Sequence, residues 1–344
     1  APRPAQARIV LVKGRTGLAN RILSLLSDAL FARRTRRRRL ADWSDITYSS
    51  DGSNDIHHFF TSPLFGPGDE IPNTGSVNPP VWRGRLHDST LDLARDLLPR
   101  TFRDPLSWRV TSASLSRLDH PEHVLVMWSF FPLIRELRPH FHGEFRHLRE
   151  MDDESILARL MGECLHLHPC IAERVAAIRA SWPSQPVVGV HIRHTDKTAR
   201  LAAVHARLRR VLQANPGLSV FLCTDNKDVQ EDFRRQYPHL LTTSKWFPGQ
   251  AQARMHESPD CPDKRANGVE ALIDLYLLSS CDILIVDKSS SFAYVAALLS
   301  GLTPDRVHDL QPWRRLTPGQ RHLLWTIATS VKWAPRRLLA RLGI

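Results

Sequence analysis

The second half of the chain alternates short apolar runs with stretches of helical spacing. The apolar runs are Val187–Arg193, Ser219–Thr224, Leu240–Ser244 and Asp282–Asp287, and the helical stretches lie at about 199–214, 227–237, 269–280 and 291–299. This alternation is typical of parallel strands joined by crossover helices. It predicts an open, doubly wound α/β sheet for this half of the chain.

The first half opens with a similar pattern. Arg8–Lys13 predicts a strand, Gly14–Asn20 a glycine-containing turn, Ile22–Arg34 an amphipathic helix and Arg38–Trp43 the next strand. The later predicted elements are an irregular region at 44–85, helix Ser89–Leu98, strand His123–Trp128 and helical structure over 154–180, with Pro169 at a break or at the start of a helix. We therefore expect an N-terminal α/β domain (1–180), a C-terminal Rossmann-like domain (181–310) and a basic helical tail (311–344).

The apolar run that begins at Val187 ends in a dense charged cluster. Its members are His191, Arg193, His194, Asp196 and Lys197. Ligands of open parallel sheets bind outside the carboxyl ends of the strands, and an arginine fork suits phosphate oxygens. An ordinary solvated loop carries fewer charges, so the cluster favours a site for a phosphorylated ligand.

The net charge of +12 also suits anionic partners, such as nucleotide phosphates, nucleic acid, anionic lipid or a charged glycan. Arginine-rich codon usage explains the same charge equally well, and the run Arg33–Arg39 contributes much of it. The chain contains no zinc-finger, RNP or basic-zipper pattern, which disfavours nucleic acid. No Asp-x-Asp pattern follows a predicted strand, so we expect no metal.

Cysteine usage predicts a reduced, cytoplasmic protein. The five cysteines are odd in number and show no disulfide framework. The tract Cys164–Cys170, with His166 and His168, has the composition of a metal site, but zinc sites usually add a second, distant pair of ligands. A structural role is favoured there. Neither a secretory signal nor a membrane-spanning run is predicted.

Several segments together resemble one enzyme family. His191–Lys197 (HIRHTDK) resembles the H-x-R-[RH]-x-D-K block of α1,6-fucosyltransferases and their rhizobial nodulation (NodZ-like) relatives. Phe221–Asn226, the helical Gly268–Leu278 and the serines after Asp287 resemble three further blocks of the same family. The match of the Gly14–Arg21 loop is partial, because Ala19 stands where many relatives have a second glycine.

The resemblance implies a GT-B-like glycosyltransferase with two Rossmann-like domains. It implies an inverting transfer of fucose from GDP-fucose to an oligosaccharide or lipid-linked glycan, without a metal. The roles that it implies are these: Arg193, Asp196 and Lys197 act in catalysis; His191, His194, Thr224, Asp225, Asp274, Ser289, Ser290 and Ser291 bind the donor; Gly14, Gly17 and Asn20 line the cleft. Within this set, Asp274 accepts hydrogen bonds from guanine and the serines hold the diphosphate.

Structural alternatives stay open for these residues. Asp225 or Asn226 could cap the following helix, the serines could do the same for theirs, and Asp274 could be a partly exposed helix residue. The catalytic base is also open: Leu201 occupies the position of a glutamate in eukaryotic relatives, which leaves Asp196 or acidic residues of 44–55. Alternative functions are transfer from another nucleotide sugar and a non-catalytic nucleotide- or lipid-binding module.

The tail Arg314–Ile344 mixes apolar and basic residues. His322–Trp333 and Arg336–Leu342 predict two short amphipathic helices on either side of Pro335. We expect the first to pack on the N-terminal domain. The second could instead contact an anionic membrane surface, which would suit a lipid-linked acceptor.

Overall fold

The computed structural model describes residues 7–63, 66, 68–97, 108–130, 132–195, 199–249 and 255–310. The strands are β1 Ile9–Lys13, β2 Arg38–Asp42, β3 Phe60–Thr61, β4 Val77–Asn78, β5 Val124–Met127, β6 His166–Leu167, β7 Val187–Ile192, β8 Ser219–Thr224, β9 Leu240–Leu241, β10 Ile283–Val286 and β11 Val307–Asp309. The helices are α1 Leu18–Thr35, α2 Ile56–Phe59, α3 Thr90–Leu97, α4 Trp108–Thr111, α5 Ile134–Leu137, α6 Asp153–Cys164, α7 Pro169–Ala180, α8 Leu201–Ala214, α9 Lys227–Gln236, α10 Lys264–Ser279 and α11 Ser291–Ser300.

The strands form two parallel sheets, one in each half of the chain. The first sheet has the order β2-β1-β5-β4, with Ile9 of β1 aligned to Arg38 of β2 and to Val124 of β5. The second has the order β11-β10-β7-β8-β9. A small antiparallel pair, β3 with β6, lies apart from both. The carboxyl ends of all strands within each sheet therefore lie along one edge.

Both sheets have apolar, fully buried central strands, because helices cover both faces. Every residue of β1, β5, β7 and β8 is buried. Gly189 in β7 allows this close cover: a Cβ there would lie 2.8 Å from the Cys281 sulfur and from Leu278.

One hydrophobic core joins the two halves. Helix α6 contacts both α1 of the first half and α11 of the second, α7 contacts α10, and α1 contacts α11 directly. The same cluster of buried side chains contains Val10 and Phe31 from the first half and Leu275 and Leu284 from the second. Ion pairs from Lys288 to Glu154 and from Arg265 to Asp55 cross the surface of this junction.

The predicted fold class is confirmed: the chain is α/β with two Rossmann-like parallel sheets, as the alternation of strands and helices predicts, in the GT-B-like arrangement that the family resemblance implies. The predicted strand Leu240–Ser244 is wrong beyond Leu241, since pairing with β8 ends there. The helix predicted from Val269 begins at Lys264, because Asp263 accepts a hydrogen bond from the Ala266 amide and caps it. The predicted irregular region contains the short elements α2, β3 and β4.

The arginine run is largely structural. Arg37 donates to the carbonyl oxygens of His120 and Glu122, Arg38 pairs with Asp69, and buried Arg39 donates to the Leu25 carbonyl oxygen. These three arginines therefore bind partners within the protein, although their sequence alone would also allow them to bind external anions.

The structure also bears on the cysteine and histidine tract, on membrane-spanning segments and on the tail. Cys164 is the last residue of α6 and Cys170 is the second residue of α7, and no group of three metal-ligating side chains occurs among the described residues. No helix in the described ranges is long and apolar enough to cross a membrane. The tail from Arg314 to Ile344 lies outside the described residues, so both interpretations of it stay predictions.

Candidate functional site

The carboxyl edge of the second sheet carries an unsatisfied imidazole. His191 is the fifth residue of β7 and is only 8% exposed, and its Nδ1 has no hydrogen-bond partner among the described residues. Its ring stacks on Phe292 of α11, with centroids 5.2 Å apart. Burial, reinforced by the charges of Arg193 and Lys245, lowers the pKa of His191 to about 3. The imidazole is therefore neutral at physiological pH and can offer a hydrogen bond to a ligand.

The loop after β7 is held by the end of β8. Asp225 accepts hydrogen bonds from the His194 amide and the Thr195 hydroxyl, both at 2.7 Å. Asn226 caps α9 by accepting from the Val229 amide, and its side chain also donates to the His194 carbonyl oxygen. The capping alternative is thus realised by Asn226, while Asp225 fixes the loop that follows Arg193.

Other predicted residues of this edge are placed as follows. Arg193 directly follows β7 and is half-buried. Thr224 is buried at the end of β8 and accepts from the Asn226 amide at 3.3 Å. Asp196 and Lys197 lie outside the described residues, so their predicted catalytic roles stay predictions.

Serines follow β10 at the start of α11. Ser290 occupies the N-cap position, yet its buried hydroxyl neither caps the helix nor has another partner among the described residues. Ser289 donates its amide to Asp287 at 2.8 Å, and Ser291 is the first residue of the helix. A helix N-terminus offers free N–H groups and a partial positive charge to anions. The turn that brings Phe292 onto His191 places this terminus beside the end of β7.

Asp274 is buried in the middle of α10 and is only 3% exposed. It pairs with the Lys245 ammonium and accepts from the Thr243 hydroxyl at 2.5 Å and from the Cys223 thiol at 3.5 Å. The alternative of a partly exposed helix residue is therefore wrong. An ionised carboxylate is tolerable at this depth because a buried cation accompanies it.

The glycine loop is packed too tightly for side chains. A Cβ at Gly14 would lie 2.5 Å from Nη1 of Arg21, and one at Gly17 would lie 3.3 Å from Cε1 of His256. Asn20 donates to the Thr16 hydroxyl at 2.8 Å, where Thr16 adopts a φ of 60°. Because His256 comes from the second half, this loop lies at the junction of the two halves.

The acidic residues of the irregular region have structural partners. Asp45 is buried and paired with Arg21 at 2.6 Å. Asp55 accepts both ends of the Arg265 fork at 2.8 and 2.9 Å. Asp51 accepts from the Ser49 hydroxyl, a hydrogen bond of 2.5 Å. These contacts argue against a catalytic base among the three.

Sequence reasoning missed Lys245, Thr243 and His256. A signal existed for the first two, since Thr243 lies near the end of the predicted strand Leu240–Ser244 and Lys245 directly follows it. Residues at and after the carboxyl ends of parallel strands lie at the ligand edge. His256 lies in a short 3₁₀ turn, Met255–Glu257, and stacks on Tyr48 of the other half with centroids 6.4 Å apart. No sequence pattern around His256 predicts this contact with Tyr48.

Comparison with known families gives a match to the family described as Nodulation protein Z (NodZ), over residues 151–317. The nodulation protein Z of Azorhizobium caulinodans is 27% identical over 328 residues, which cover 86% of this chain and 90% of that protein. An α-(1,6)-fucosyltransferase of Drosophila melanogaster is 32% identical over 138 residues, 36% of this chain and 21% of that protein.

Solved structures show the same fold. A NodZ α-1,6-fucosyltransferase soaked with GDP-fucose superposes with a TM-score of 0.57 at 23% identity, covering 85% of this chain and 92% of that one. A NodZ α-1,6-fucosyltransferase co-crystallised with GDP gives a TM-score of 0.59 at 22% identity, over 86% and 93% of the two chains. At these identities the likeness concerns the fold.

Proposed function

Because the chain is similar to the NodZ family over residues 151–317 and to a nodulation protein Z along most of its length, we propose that it is a NodZ-like fucosyltransferase. In this proposal it transfers fucose from GDP-fucose to a glycan acceptor with inversion at the anomeric carbon. The related structures contain GDP-fucose or GDP, which makes a guanine nucleotide sugar the favoured donor. In this proposal residues 181–310 bind the donor, and residues 1–180 form the acceptor side.

One observation carries the proposal most directly. Two buried polar atoms, Nδ1 of His191 and Oγ of Ser290, have no partner among the described residues, and they lie on adjoining elements of the second half. A buried polar group without a partner costs about 1–3 kcal/mol. Such groups at the ligand edge of a parallel sheet indicate that a polar ligand completes them.

In the proposed reaction, the acceptor hydroxyl oxygen forms a bond to C1 of fucose while the bond from C1 to the β-phosphate oxygen breaks. GDP leaves with the bonding electron pair. Arg193, with Lys197, stabilises the charge that develops on the leaving diphosphate, and the amide groups at the start of α11 with Ser289, Ser290 and Ser291 bind phosphate oxygens. In this proposal, cationic side chains and backbone amide groups stabilise the negative charge of the diphosphate without a metal.

The remaining donor contacts follow from the edge of the second sheet. We assign the guanine to His191 and Asp274. His194, Thr224 and Asp225 shape the donor site by holding the loop after β7. Gly14, Gly17 and Asn20 keep the first-half loop close to the transferred sugar. Asp196 is the favoured acceptor for the proton of the hydroxyl group, since the acidic residues of the irregular region are engaged.

The proposal is tested by measuring transfer and hydrolysis with GDP-fucose, GDP-mannose and UDP-N-acetylglucosamine against a panel of oligosaccharide acceptors. We expect turnover with GDP-fucose and an α-linked product, identified from its anomeric proton by NMR. Turnover only with another sugar nucleotide would replace the donor assignment. Nucleotide binding without any turnover would leave a non-catalytic binding module.

A further inference from the structure

Among the described residues of the second half, Lys245 and Asp274 form the most deeply buried ion pair. The two side chains are 3% and 5% exposed. Thr243 and Cys223 complete the ring of donors around the carboxylate. Among the described residues, the hydrogen bond of the Lys245 ammonium goes to Asp274, which leaves it two further N–H groups.

The segment that carries Lys245 is fixed onto α10. The amide of Trp246 donates to Glu270 at 3.0 Å, one helical turn before Asp274. The ammonium also lies over the Phe247 ring, 5.7 Å from its centroid. The contacts of Trp246 and Phe247 thus fix the segment that carries Lys245, and with it the position of the ammonium group relative to the Asp274 carboxylate.

The charge on the carboxyl group decides which base edge it can bind. An ionised carboxylate offers two acceptor oxygens, which match the neighbouring N1 and N2 donors of guanine. A protonated carboxyl group offers one donor and one acceptor, and that pattern matches the N6 donor and N1 acceptor of adenine. A buried carboxyl group without a counter-ion takes up its proton several pH units above its ordinary pKa.

We propose that Lys245 is a specificity-determining residue of the nucleotide subsite, because it keeps Asp274 ionised and so makes the preference for guanine over adenine independent of pH. The inference rests on the proposed function, in which Asp274 binds the guanine. Lys245 acts here as a positioning residue through Asp274.

The other titratable groups around this pair do not replace the ammonium. Burial raises the pKa of the Cys223 thiol, so it stays neutral. His191 is neutral for the same reason of burial. Asp225 is a further anion near Lys245. Burial is the largest single influence on Lys245 and opposes its charge. The attraction and hydrogen bond of Asp274, together with the smaller contributions of Cys223 and Asp225, outweigh burial and hold the pKa of Lys245 above its ordinary value.

The experiment compares the dissociation constants of GDP and ADP by calorimetry between pH 5.5 and 8. Their ratio cancels the ionisation of the diphosphate, which is common to both ligands. The measurements are made on the unsubstituted protein and on the variants Lys245→Met and Lys245→Arg. The matched control is Lys227→Met, which removes an exposed lysine from α9.

We expect the preference for GDP over ADP to stay constant with pH in the unsubstituted protein, in Lys245→Arg and in Lys227→Met. In Lys245→Met the preference falls with decreasing pH, by up to about tenfold per pH unit while the carboxyl group titrates. The change is absent when Asp274→Asn is added, since no carboxyl group remains. If Lys245→Met does not fold, Lys245→Gln tests the same expectation, because it keeps a donor without the charge.

A Lys245→Met or Lys245→Gln protein that prefers GDP as strongly at pH 5.5 as at pH 8 overturns the inference. Failure of the proposed function gives a different result: the unmodified chain then binds GDP no better than ADP at any pH. The two failures are therefore separate observations on separate proteins.

Discussion

Lys13 and Arg21 at the carboxyl edge of the first sheet have partners inside the protein, whereas two buried polar atoms at the carboxyl edge of the second sheet have none among the described residues. In the first half, Lys13 directs its ammonium to Asp42 and to the carbonyl oxygens of Leu86 and Asp88. Arg21 donates to Asp45 and to the carbonyl oxygens of Thr16 and Trp43. In the second half, Nδ1 of His191 and Oγ of Ser290 are buried without partners among the described residues.

The difference indicates that the first edge stabilises the fold and that the second edge is suited to binding a ligand. Side chains whose donors are all satisfied internally hold the glycine loop and the neighbouring turns in one geometry. Polar groups left unsatisfied cost stability, and the proposed function accounts for them at the second edge by a ligand that completes them. Substitutions should therefore affect stability at the first edge and ligand affinity at the second.

The largest effect is expected at the first edge. Arg21→Met leaves the Asp45 carboxylate buried without its cation, so we expect the free energy of unfolding to fall by about 3–5 kcal/mol. Chemical denaturation measures it. Arg33→Met is the control, because Arg33 and Glu163 are both well exposed and their pair contributes about 0–1 kcal/mol. Equal losses in the two variants would contradict the comparison.

Arg193→Lys should leave unfolding almost unchanged and reduce turnover. The planar fork is lost while the charge stays, and we expect a loss of about 2–4 kcal/mol in transition-state stabilisation. Steady-state kinetics at saturating GDP-fucose measures it, with Arg210→Lys on the exposed face of α8 as the control. Near-normal turnover of Arg193→Lys would show that Arg193 does not stabilise the diphosphate.

His191 should make the second half sensitive to acid. Its folded pKa of about 3 is below the ordinary value of 6.5, so its contribution to stability is present above pH 6.5 and declines as the pH falls. At pH 5 the loss amounts to about 2 kcal/mol relative to pH 8. Unfolding of the full chain and of His191→Asn at both pH values measures it. The exposed His239→Asn serves as control, and an equal acid loss in all three proteins would contradict the role of burial.

The smallest effect concerns Ser290. Because its hydroxyl has no protein partner among the described residues, Ser290→Ala should not lower the free energy of unfolding. It should weaken GDP binding by about 1 kcal/mol, the contribution of one hydrogen bond. Calorimetry measures the affinity, with Ser300→Ala at the other end of α11 as the control. A destabilised Ser290→Ala protein that binds GDP normally would reverse the comparison at this edge.

Sequence reasoning located the second edge better than the first. His191 lies near the end of one apolar, β-branched run and Ser290 lies just after another, and such runs are typical of buried strands, so their place near the carboxyl edge is predictable from the local sequence. Partners distant in the sequence were not visible: Lys245 lies 29 residues from Asp274, and Arg265 lies 210 residues from Asp55. The structural use of Arg37 and Arg39 was missed for the same reason, because their acceptors are backbone carbonyl oxygens.

The core shared by α1, α6, α10 and α11 has a consequence for how the protein can be divided. A fragment that begins near residue 181 would expose the faces of Leu275 and Leu284 that pack in the same cluster as Val10 and Phe31. Apolar surface of that kind drives association in water. We expect such a fragment to aggregate when it is produced alone, and the halves to fold as one cooperative unit.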